Sequence, residues 1–118
     1  MATITAAKYP TVMPWTTRVL WEALTEANSD GSGVEFSDYA DRSVQVIGTF
    51  GGATIALQGS NDGGTTWAAL SDPQGNALSF TSAGIEQVGT ISQMIRPIVT
   101  GGASVDVDVW LFARANKR

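Results

Sequence analysis

The chain contains neither cysteine nor histidine among its 118 residues. Without cysteine no disulfide can staple the fold, and folding in a reducing cytosol is open to it. Without His or Cys the Ser-His-Asp and Cys-His nucleophile systems cannot be assembled, and the common zinc ligand sets fail for the same reason. What remains for catalysis is a carboxylate pair of the kind used in glycoside hydrolysis. Positive charge is sparse: 7 Lys and Arg stand against 11 Asp and Glu, a net charge of −4. No basic cluster precedes Lys117-Arg118, so no nucleic-acid partner is expected. No run of about 18 apolar residues exists, so no membrane partner is expected either. The first eight residues lack the basic start and continuous apolar stretch of a secretory signal. A chain of this length is expected to form one domain with a two-layer core.

What the chain does contain is turns. Residues 60–67 read Ser60-Asn61-Asp62-Gly63-Gly64-Thr65-Thr66-Trp67, between the apolar runs Thr54-Ile55-Ala56-Leu57 and Trp67-Ala68-Ala69-Leu70. Asn, Asp and Gly tolerate the positive φ that tight hairpins demand, and Asn or Asp side chains bond nearby amides. The spacing S-x-D-x-G-x-T-W also resembles the Asp-box hairpin of sialidase-type propellers and many other β-proteins. That resemblance implies that Ser60 and Asp62 hold the turn, with Gly64 and Thr66 inside it and Trp67 packed beneath. A propeller would need several such blades and only one is present, so the octet is expected to be structural.

Short extended segments punctuated by Gly-rich turns fill the rest. Thr17 to Leu24 alternates, with Thr17, Val19, Trp21 and Ala23 on one face. Ser43 to Phe50 alternates with Val44, Val46 and Phe50 together. Asp72-Pro73-Gln74-Gly75-Asn76 is a β-turn, and Leu78 to Thr81 and Gly84 to Gly89 are weaker extended pieces. Pro97, within Ile91 to Thr100, cannot donate to a ladder and is expected at an edge or a bulge. Ser104 to Ala113 is the cleanest strand: Val105, Val107, Val109 and Leu111 face one way, Asp106 and Asp108 the other, followed by Trp110 and Phe112. Its second half is apolar on both sides and must be covered there, by the N-terminus or by another chain. The expected fold is all-β: an antiparallel, jelly-roll-like β-sandwich over residues 17–118, with an extended arm over residues 1–16. The arm holds Pro10 and Pro14 among Tyr9, Val12, Met13 and Trp15, which is too apolar for a free tail. It is expected either to lie across its own domain or to reach a neighbouring subunit.

Candidate chemistry is thin. Asp62 with Ser60 and Asn61 offers too few oxygens for calcium, and Glu35, Asp38 and Asp41 fit no EF-hand spacing. Asp106 and Asp108 share a strand face about 7 Å apart, with no cleft implied. Of the four tryptophans, Trp21 and Trp67 are expected in the core, and Trp15 and Trp110 at the surface or an interface. The residues singled out for contact are Tyr9, Val12, Met13 and Trp15 of the arm and Trp110 and Phe112 of the last strand. No catalytic residue, metal ligand or cofactor is expected, and the protein is not expected to be an enzyme.

The order of motifs along the chain resembles a family of small tailed-bacteriophage structural proteins, several of them encoded near the major capsid gene. It runs Val34-Glu35-Phe36, Ala40-Asp41-Arg42-Ser43-Val44-Gln45-Val46, Gly48-Thr49-Phe50-Gly51, and Gln58-Gly59-Ser60-Asn61-Asp62-Gly63 with Trp67. Ile95-Arg96-Pro97 and Thr100-Gly101-Gly102 then precede a final strand, so that roughly residues 17–114 are covered. The resemblance implies a virion protein, above all a capsid decoration or cement protein made in the bacterial cytoplasm and placed on the capsid surface. Its implied partners are the major capsid protein and its own copies, and a trimer would suit a threefold shell position. The resemblance supplies no binding residues. The alternatives are a carbohydrate-binding β-sandwich module and a tail or neck component.

Overall fold

The structure, a computed structural model, describes residues 3–115. The Lys117-Arg118 pair and the first two residues of the arm lie outside the described residues. Twelve strands form two sheets, and no helix long and apolar enough to cross a membrane occurs among the described residues. In chain order the strands are β1 (Thr3–Ile4), β2 (Ala7–Tyr9), β3 (Thr16–Leu24), β4 (Asp30–Gly31), β5 (Val34–Glu35) and β6 (Asp41–Thr49). There follow β7 (Thr54–Ser60), β8 (Ala68–Ala69), β9 (Ser79–Phe80), β10 (Gly84–Val88), β11 (Met94–Thr100) and β12 (Asp106–Arg114). One sheet runs β10-β6-β12-β3-β2; the other runs β1-β4-β11-β7-β8, with β5 also on β11 and β9 also on β7. The fold is an all-β sandwich, antiparallel except where β1 runs parallel to β4.

The core lies between the sheets and follows from strand alternation. Val19 and Trp21 of β3, Val44 and Val46 of β6, and Val107, Val109 and Leu111 of β12 are buried from one side. Ile55 and Leu57 of β7 and Ile95 and Val99 of β11 meet them from the other. Buried Trp21 donates its indole N–H to the Ser32 carbonyl at 2.8 Å, which satisfies its one polar atom. Gly31 of β4 leaves room for it: a Cβ there would stand 2.7 Å from the Trp21 ring and would also collide with Pro97.

Three local departures from simple alternation have physical causes. Ala23, expected inside with Trp21, is exposed, and Leu24 is buried instead. A bulge between Val107 and Val109 puts Ala23 at φ 62°, and the Asp108 carboxylate accepts its N–H at 2.9 Å. Pro97 is not on an edge strand, because β11 has neighbours on both flanks. Its partner Leu57 sends its own N–H away to the Leu78 carbonyl. The missing donor of Pro97 therefore falls on the other flank, where the neighbour switches from β5 to β4. Trp67, expected in the core, is half-buried on the outside of the larger sheet beneath the Arg96 guanidinium, 4.3 Å from the ring.

Among the described residues Arg42 is the buried cation. Its Nε donates to the Tyr39 carbonyl at 2.7 Å and Nη2 to the Phe36 carbonyl at 2.6 Å, tying down the loop before β6. Nη1 has no hydrogen-bond partner among the described residues, and burial holds the guanidinium below its ordinary pKa.

Of the arm expected over residues 1–16, β1 joins β4 in one sheet and β2 joins β3 in the other. This part lies across its own domain. It covers part of the second half of β12: Tyr9 meets Trp110 edge-on with ring centres 5.1 Å apart, while Phe112 stays exposed.

Candidate functional site

Two surface elements hold the residues singled out from the sequence. The first is the hairpin between β7 and β8. Asp62 Oδ1 accepts the Ser60 hydroxyl at 2.7 Å and the amides of Thr65 and Thr66 at 3.1 and 2.9 Å. Ser60 Oγ in turn accepts the Gly64 amide at 3.0 Å, and Trp67 donates its indole N–H to the Gly64 carbonyl at 3.0 Å. The Thr66 amide, then the Ser60 hydroxyl, pull the Asp62 carboxyl down to about 2. A clamp from outside the octet completes it: Gly63 donates to the Gln93 side chain and Gln93 donates its amide to the Asn61 side chain, at 2.9 and 2.8 Å. Ser60, Asn61, Asp62 and the Trp67 indole are thus each engaged within the protein. Gln93 was not legible, because it lies 30 residues away along the chain, beyond β8, β9 and β10.

The second element is the apex formed by residues 10–15 with the outer face of the smaller sheet. The Thr16 hydroxyl lies 2.7 Å from both the Thr11 hydroxyl and the Met13 carbonyl, and the Thr11 hydroxyl donates to the Thr16 carbonyl at 3.2 Å. Trp15 sits at φ 64°, a conformation that costs a side-chain-bearing residue about 1 kcal/mol. The Ala115 amide bonds to its carbonyl at 2.7 Å and fixes the apex to the end of β12. On this pinned backbone Val12 is 98% exposed, Met13 66% and Trp15 59%.

The contact residues are brought into two groups. Val12 and Met13 line one open depression with Pro10 and Phe112. Tyr9 and Trp110 form the edge-on pair, and the Arg18 guanidinium lies 5.6 Å from the first ring and 5.1 Å from the second. Trp15 lies at the exposed tip. The sequence did not single out Arg18, nor Ile85 and Ile47, which are exposed on the same outer face. Ile85 pairs with Gln45, and Gln45 with Trp110, so one row of the sheet joins them. Cross-strand register of this kind is not written in any one segment.

The acidic candidates do not gather. Asp41 is bound to Arg114 at 3.0 Å, Glu35 accepts the Ser37 hydroxyl at 2.7 Å, and Asp108 is engaged by Ala23. Among the described residues no three His, Cys, Asp or Glu side chains converge on a point that could hold a metal ion. Glu26 bridges the amides of Ser104 and Val105 at 2.9 and 2.8 Å. Its carboxyl lies below the ordinary range, chiefly through its own amide and then through those two. The arrangement is built to present apolar and aromatic side chains on a fixed backbone. Comparison with protein-family models, with curated proteins and with solved structures finds no match for this chain.

Proposed function

We propose that this chain is a non-enzymatic structural protein of a tailed-phage virion, a capsid decoration or cement protein that binds the outer shell of major capsid protein. One observation carries the reading: three neighbouring apolar side chains, Val12, Met13 and Trp15, are held out to solvent on a backbone already tied by Thr11, Thr16 and Ala115. Burying each would contribute roughly 1.5–3 kcal/mol. A backbone fixed beforehand spares the ordering cost that a free tail would pay on binding. The order of motifs that resembles small phage structural proteins points the same way, and so does a sandwich that holds together without disulfides. The apex meets the shell, and the outer face of the last strand, with Tyr9, Trp110 and Phe112, meets further copies of the chain.

A sugar-binding module would want an open aromatic platform. Trp110 is half-covered by Tyr9 and Arg18, which weighs against that reading. A tail or neck component would use the same apex, and imaging of labelled protein on virions separates it from a head protein.

The first test is the gene's neighbourhood, where a major capsid gene is expected; the second is co-expression with the protein that it encodes. The chain is expected to sediment with assembled heads, and Val12→Ser, Met13→Ser and Trp15→Ser combined should reduce occupancy at least tenfold with the thermal midpoint unchanged. No capsid gene in the neighbourhood, or full occupancy by the triple variant, would overturn the proposal.

A further inference from the structure

The smaller sheet ends in β2 and β10, and both edges are guarded. Lys8 of β2 is in register with buried Val19, and Glu86 of β10 with buried Val44. Strand alternation therefore turns each charge toward the inner side of its edge. An inward charge on an edge strand opposes the addition of another strand. Association through the rims is disfavoured, and the broad outer face is left.

That face has an ordered charge pattern. Ile85, Gln45, Trp110, Leu20 and Ala7 pair in one row across all five strands, and none is charged. Toward the apex lie Arg114 on β12 and Arg18 on β3, with Asp41 of β6 held by Arg114; away from it lie Asp106 and exposed Glu22 on the same two strands, with Asp108 spent on the Ala23 amide. Asp106 and Arg114 each stand four positions from Trp110, and Arg18 and Glu22 each stand two positions from Leu20, the register partner of Trp110. The positive and negative ends are thus equidistant from an uncharged row. Phe112, Ile47 and Ile85 remain 42%, 38% and 64% exposed around it.

We infer that this face is the interface of a twofold dimer between two copies of the chain, with the axis in the plane of the face, across the strands and over Trp110. Such an axis reverses strand direction and keeps strand position. It lays Asp106 against the partner's Arg114, Glu22 against the partner's Arg18 and Asp108 against the partner's Phe112, with the two Trp110 residues nearest the axis under their Tyr9 and Arg18 cover. Each charge pair occurs twice, and no two like charges are laid directly opposite each other. Arg114 already holds Asp41, but a guanidinium has five N–H donors and can serve both carboxylates. The face is of sufficient size: its five strands hold 35 residues, and at about 4.8 by 3.4 Å each these span roughly 570 Å², near the low end, ~600 Å² per partner, of stable interfaces. The inference deepens the proposal that the chain binds its own copies and rests on that part alone. It needs no shell.

The test uses the full chain in solution, by sedimentation velocity from about 1 to 100 μM. The wild-type chain is expected at twice its 12.4 kDa mass. Asp106→Arg sets like charges against each other at both ends of the dimer and should raise the dissociation constant at least tenfold; Arg114→Glu should do the same. Mixing the two variants in equal amounts restores a dimer, because one end then carries the exchanged pair and the other the original pair. Circular dichroism reports that each variant is folded, and Glu22→Arg with Arg18→Glu serves as a second set should either fail. A monomeric or trimeric wild-type chain, a dimer indifferent to both substitutions, or variants that do not rescue each other would overturn the inference. Shell binding by a strictly monomeric chain would overturn it and leave the capsid proposal standing.

Discussion

The hairpin of residues 60–67 and the apex of residues 10–15 are both short surface elements, and both have fixed backbones. They differ in what they present to solvent. The hairpin turns its polar atoms inward: Asp62, Ser60, Asn61 and the indole N–H of Trp67 are all spent on neighbours. The apex is tied through Thr11, the adjoining Thr16 and its carbonyls, and leaves the side chains of Val12, Met13 and Trp15 largely exposed. A turn that exists to stabilise uses its side chains internally. A turn that exposes apolar side chains on a tied backbone forgoes burial that folding alone would favour, and so points to a partner.

Substitutions should separate the two elements by their effect on stability. The largest effect lies beneath both. Trp21→Ala empties a fully buried site and loses the bond to Ser32, and is expected to cost about 3–5 kcal/mol, measured by urea unfolding. In the hairpin, Ser60→Ala removes one donor and one acceptor from a buried hydroxyl and is expected to cost about 1–2 kcal/mol, a fall of several degrees in thermal midpoint. An unchanged midpoint would mean that the turn is held by its glycines alone.

Acid should act on the hairpin next. Asp62 titrates at about 2 when folded against an ordinary 3.8, so its contribution is complete above about pH 4 and is lost as pH falls through about 2. Glu26, also lowered, acts in the same direction at the β12 end. The urea midpoint of Asp62→Asn should therefore lie below that of the wild type at pH 6 and converge with it toward pH 2. A constant gap across that window would contradict the assignment. The triple serine substitution at the apex has the smallest effect on stability, within about 0.5 kcal/mol, and by the proposed function the largest on binding. If apex substitutions lowered stability as the hairpin ones do, the contrast between the two would fail.

The sequence was most legible where period and turn chemistry agree. Val105, Val107, Val109 and Leu111 could be placed inside because alternation is unbroken along β12, and the octet because its glycines and carboxylate specify one turn. Legibility ended where a distant partner decides. Leu24 replaces Ala23 in the core only because a bulge forms opposite Asp108. Trp67 leaves the core because Arg96, on another strand, offers its guanidinium as a cover. The apolar residues of the arm and of Trp110 were visible as anomalies, whereas Arg18 was not. Its place between Tyr9 and Trp110 depends on the register of β2, β3 and β12 together.

The tie between the apex and the paired ends of β3 and β12 also has a mechanical meaning. A pull on the apex enters at Thr16 and runs along the axis of β3. That strand is paired with β12 at seven positions and with β2 at three more. Antiparallel ladder bonds lie perpendicular to the strands, so this load shears them together and does not peel them one at a time. Along the line in which its exposed tip would be tugged, the domain resists by shear of ten paired positions at once.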